Sequence, residues 1–153
     1  MFQLILFLFI TKSISYKYFI YIDKMNVKKS IIAIVVLLLA DLAWINLYMN
    51  KQYEVQVRDI QNSDLKLDTS MALFAYILMI VGLLVFVLPN IRSGHELEDS
   101  LKYGFTFGIV LYGVYDFTAG AIFTKWNKKL AVTDILWGGF VYFIATYTAS
   151  KLG

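Results

Sequence analysis

The stretch that decides the fold reads Tyr112-Gly113-Val114-Tyr115-Asp116-Phe117-Thr118, then Lys125-Trp126-Asn127-Lys128-Lys129, then Thr133-Asp134-Ile135-Leu136-Trp137-Gly138. Two aspartates sit inside segments that are otherwise apolar enough to live in lipid, with a short basic turn between those segments. A helix satisfies its own backbone hydrogen bonds where water cannot, so this pattern reads as two membrane helices joined at an interface. The apolar runs, Tyr103 to Thr124 and Leu130 to Ser150, each have the roughly 20 residues that cross a bilayer core.

Composition extends that reading to the whole chain. Of 153 residues, 59% are hydrophobic and 16% charged, and the mean hydropathy is +0.66. A soluble domain has an apolar share of roughly 45–50%, so lipid must cover part of this surface. The absence of Cys excludes disulfides, thiolate metal sites and thiol nucleophiles. The net charge of +3 fits membrane flanks better than nucleic-acid binding, because no basic block is interleaved with a soluble fold.

Outward from the deciding stretch, two further spans are expected. Ser30 to Met49 forms the first, interrupted by Asp41 and Asn46, and Met71 to Leu88 the second, stopped by Pro89-Asn90. Ala72, Ala75 and Gly82 give the second span a small face that would admit a neighbouring helix. Asn50 to Ser70 is the longest polar connection; it is read as lying along the membrane surface, helical or extended. Ile91 to Asp99 holds the only His, and its acids read as a hydrated loop and helix start rather than a metal site. Residues 1–24 read as a doubtful N-terminal extension upstream of a more natural start at Met25, with an interfacial helix as the alternative. Residues 25–153 are then a single four-span domain. The expected fold is an all-α integral membrane antiparallel four-helix bundle with spans about 30–49, 71–88, 103–124 and 130–150, which puts both span ends of the chain on one side.

Helical rise places the acids. Asp41 is eight residues before Met49 and Asp116 eight before Thr124, each about 12 Å from the same membrane side, and Asp134 is about 6 Å from it. Gly104, Gly108, Tyr112, Asp116 and Gly120 share one i, i+4 stripe, as do Asp134, Gly138, Tyr142, Thr146 and Ser150. Such stripes are where helices pack, since small residues permit approach and intramembrane acids avoid lipid. Asp-x-x-Trp occurs at Asp41/Trp44 and at Asp134/Trp137, and spacing of three sets each Trp beside its own Asp. The candidate polar cluster is therefore Asp41, Asp116 and Asp134, with Tyr115, Trp44 and Trp137 as partners.

These motifs carry a resemblance. Asp41-x-x-Trp44, Tyr115-Asp116-Phe117-Thr118, Lys125-Trp126 and Asp134-x-x-Trp137-Gly138 resemble the recurring motifs of an uncharacterised predicted membrane protein family, domain of unknown function 2177 (DUF2177). The likeness covers about Met25 to the C-terminus and implies a small multi-pass protein with no assigned activity. Where it implies an Asn after the Tyr-Asp-x-Thr motif, this chain has Ala119.

Three function classes follow. The preferred one is a structural or accessory membrane protein with a buried carboxylate and aromatic layer. The alternatives are a proton or cation transporter or channel using Asp41, Asp116 and Asp134, and a membrane-embedded enzyme acting on lipid. No nucleophile, His cluster or phosphate loop accompanies the acids, which disfavours an enzyme. No cofactor and no metal are expected. The expected partners are the lipid bilayer and, because Gly104 and Gly108 permit close approach, a second copy in a homo-oligomer; no nucleic acid is expected.

Overall fold

A computed structural model describes residues 26–153, so the reading of residues 1–24 lies outside the described residues. Four helices are long and apolar enough to cross a membrane: α1 (Val27–Gln61), α2 (Thr69–Asn90), α3 (Glu96–Ile122) and α4 (Lys128–Leu152). Each start has a chemical cause. Asn26 caps α1 by accepting from Lys29 N, and Asn127 caps α4 by accepting from Lys129 N and Leu130 N. Asp68 caps α2, and the Ser70 hydroxyl holds its carboxyl below the usual range.

The ends come together as an antiparallel bundle requires. Asn26 Nδ2 donates to Gly153 O at 3.2 Å, joining the start of α1 to the end of α4. At the other side Lys125 Nζ donates to Asp59 O at 2.8 Å, joining the α3–α4 turn to the end of α1. On the first side Arg92 makes a two-pronged ion pair with Asp99, whose carboxyl is fully buried. The acidic first turn of α3 is thus not merely hydrated: its last acid is inside. Hydrogen bonds to Asp99 raise the Arg92 pKa further.

One difference from expectation concerns the first helix. The first helix does not stop near Met49 to give way to a surface segment; it runs on to Gln61, where Asn62 turns left-handed at φ 54°. A wider i→i+5 turn at Ile45–Met49 joins its two parts. Asp41 therefore lies 20 residues from the helix end, about 30 Å. Asp116 is six residues before Ile122 and Asp134 six after Lys128, both about 9 Å from their helix ends. Asp116 and Asp134 share a level, and Asp41, which bonds Tyr112 and Trp137, lies about one turn deeper.

Packing is centred on α4, of which 56% of the apolar window is buried against 22% for each of the other three. The remaining apolar faces, including Leu39 on α1, Phe74 and Leu78 on α2, and Val114 and Phe117 on α3, are exposed and face lipid. The two small-residue stripes meet as expected: a Cβ on Gly108 would strike the Gly138 carbonyl, and one on Gly138 would strike the Tyr112 ring. Gly104 also abuts α4, at Tyr142 O and Thr146 Oγ1. The pair Gly104 and Gly108, read from sequence as an approach for a second copy, is therefore occupied within the chain.

Of the small face on α2, Gly82 receives the Phe107 ring, which stacks in turn on Phe86 and meets Tyr142 at a tilt of 57°. Replacing Gly82 with Ala would place Cβ 2.5 Å from Phe107 Cζ. We expect a loss of about 1–2 kcal/mol, read by thermal unfolding in detergent, and its recovery in the double variant with Phe107→Leu.

Candidate functional site

Asp41 is 4% exposed, and its carboxyl joins all four helices. On α1 it accepts from Tyr76 OH of α2 at 3.0 Å, Tyr112 OH of α3 at 2.7 Å and Trp137 Nε1 of α4 at 3.1 Å. One turn nearer the α3–α4 connection, Asp134 accepts from Tyr53 OH at 3.1 Å and from Trp44 Nε1 at 3.4 Å. The Trp44 and Trp137 rings stack between the two carboxyls, 4.5 Å apart and 10° from parallel.

The two Asp-x-x-Trp motifs are thus exchanged. Each Trp serves the aspartate of the other helix, where sequence spacing had set it beside its own. Antiparallel packing is the reason: three residues of helix rise about 4.5 Å, so running α4 down against α1 sets Trp137 level with Asp41 and Trp44 level with Asp134. Both Asp residues then meet an indole without either helix distorting.

Asp116 is brought near but not into this clasp. It is 2% exposed, and its Oδ2 accepts no hydrogen bond. The buried Trp126 Nε1 is also unpaired. Gln56 lies beside them: its Oε1 accepts from Asn127 N at 3.2 Å, and its buried Nε2 has no partner. Tyr115, expected as a partner, is 54% exposed and packs edge-on against Trp126.

Three of the donors were not among the candidate site residues. Tyr112 lies on the expected stripe, and for it and Tyr76 only the pairing was hidden. Tyr53 was hidden by geometry. In an unbroken α-helix Trp44 and Tyr53, nine residues apart, point about half a turn from each other. The wide turn at Ile45–Met49 takes back about a quarter turn, so both reach Asp134.

Beside the clasp, between α1, α2 and α3, is a cleft of about 410 Å³. Asp41, Asp134, Tyr112 and Tyr115 lie along one part of it, and Ala72, Ala75, Tyr76, Leu78 and Met79 of α2 form the facing wall. The α2 alanines expected to receive a helix line this space instead. Among the described residues no group of His, Cys, Asp and Glu has the spacing to hold a metal ion.

A family model described as a predicted membrane protein, DUF2177, matches residues 26–150. The chain belongs to that family. No curated protein and no solved structure matches it. In this DUF2177 chain, then, both Asp-x-x-Trp motifs lie in the matched region and meet each other across the α1–α4 contact. It is a membrane protein with four candidate transmembrane helices.

Proposed function

We propose that the protein is a structural or accessory membrane component in which the carboxylate and aromatic layer holds four helices in one packing. The observation that carries this reading is that Asp41 receives a hydrogen bond from each of the other three helices. Apolar side chains gain little by leaving lipid for one another, so interhelical hydrogen bonds and close packing must supply the specificity of such a bundle. An acid engaged by three neutral donors is suited to fixing a register. A relay acid has to exchange its proton or ion with a path.

One observation favours the proton or cation transporter: the unpaired Oδ2 of Asp116, on the level of Asp134 and nearer the membrane side. Reconstitution separates the two. Purified protein in liposomes is expected to conduct protons and potassium no faster than empty vesicles, whether wild type or Asp116→Asn. A flux that Asp116→Asn or Asp41→Asn abolishes in a folded protein would overturn the accessory reading. The lipid-enzyme alternative has the least support, since no Ser, Thr, His or Lys lines the cleft.

A further inference from the structure

The geometry points to the cleft between α1, α2 and α3 as a binding site for a membrane amphiphile with an alkylammonium head. The inference adds a ligand to the accessory role and stands on separate observations.

The first is size and shape. About 410 Å³ falls within the range of small-ligand sites, roughly 300–1,000 Å³. The facing wall is the half of α2 in which no residue of Thr69–Gly82 except Gly82 is buried, so the cleft opens sideways to lipid. Ala72 and Ala75 make this space by being small; Leu78 at its edge is 69% exposed. An alkyl chain entering from the bilayer finds an apolar wall and a lipid-facing exit.

The second is charge. Asp41 and Asp134 both line the cleft, and no Lys, Arg or His does. Their hydrogen-bond donors are phenols and indoles, all neutral, so none of the donors supplies a counter-charge. Carboxylates in lipid are costly without a counter-charge. The spans supply none at this depth: Lys and Arg are absent from residues 30–49, 71–88, 103–124 and 130–150. A ligand cation completes the charge.

The third is the kind of cation. Most of the Asp41 lone pairs already accept a hydrogen bond, which leaves charge on offer more than acceptor sites. Tyr76, Tyr112 and Tyr115 add three aromatic rings to the lining. Carboxylates with aromatic faces suit an ammonium, quaternary included, which binds through charge and ring quadrupoles. A phosphate or carboxylate head would be repelled.

The test is a titration of the full chain, purified in a maltoside detergent, with decyltrimethylammonium below its micellar concentration. Decanol and decyl sulfate serve as chain-matched neutral and anionic probes, and tryptophan fluorescence is the readout, since Trp44 and Trp137 donate to the two aspartates that line the cleft. The expected result is saturable binding at least tenfold tighter for the ammonium than for either control. It should weaken at least tenfold in Ala75→Leu, which fills the cleft from its α2 wall without replacing a residue of the clasp. Ala72→Leu is the second filling variant, should the first fail to fold. Equal binding of ammonium and alcohol would overturn the assignment of a cationic head. Undiminished ammonium binding in a folded filling variant would overturn the cleft as the site.

Discussion

Replacing Asp41 with Ala is expected to cost roughly 2–4 kcal/mol of stability, the largest loss among the three intramembrane acids. The size follows from counting partners. Three interhelical hydrogen bonds are lost together, each worth about 0.6 and up to about 1.7 kcal/mol in a membrane, and two phenols and an indole are left unsatisfied where water does not reach. Asp134→Ala removes two bonds, one of them long at 3.4 Å, and should cost about half as much. Asp116→Ala removes no hydrogen bond and should be mildest. Unfolding in mixed micelles, followed by loss of near-ultraviolet aromatic signal, measures all three. Any order other than Asp41, Asp134, Asp116 would mean that the hydrogen bonds of the clasp do not set its stability.

Gly108→Ala should be at least as damaging, at about 3 kcal/mol or more, for a different reason. Its Cβ would overlap the Gly138 carbonyl oxygen and sit 2.5 Å from Gly138 C and 2.9 Å from Gly139 Cα. All three are backbone atoms of α4, so no side chain can rotate away and the two helices must separate. Separation pulls Tyr112, one turn along α3, from Asp41. The variant is therefore expected to accumulate poorly in membranes and, where recovered, to lose the Tyr112 contact as well. Gly113→Ala is the control on the same helix. Its Cβ would meet only its own helix's Phe117, at 3.8 Å, and it should behave as wild type within about 0.5 kcal/mol.

Much of this architecture is legible in the chain because lipid imposes simple rules. Apolar length predicted the four spans, and the i, i+4 stripes of Gly104 to Gly120 and Asp134 to Ser150 predicted which faces of α3 and α4 meet. What stayed hidden depends on helix ends and on partners distant in sequence. The polar residues of 50–61 argue for an interface segment separate from the first span, yet helix α1 carries them onward. The wide turn at Ile45–Met49 has no proline or glycine to announce it, and with it went Tyr53. The exchange of tryptophans could be drawn only once α1 and α4 were known to be antiparallel neighbours. Ala72 and Ala75 show the opposite failure: small residues that admit a helix in one bundle leave a cleft in another.

The exchanged clasp is tested most directly by double-mutant cycles on folding stability with Asp→Asn and Trp→Phe changes. The crossed pairs, Asp41 with Trp137 and Asp134 with Trp44, should show coupling of about 0.5–1.7 kcal/mol. The pairs within one helix, Asp41 with Trp44 and Asp134 with Trp137, should be additive within about 0.5 kcal/mol. Coupling within the helices and additivity across them would contradict the account, because each tryptophan would then serve its own aspartate and α1 and α4 would not be joined by these motifs.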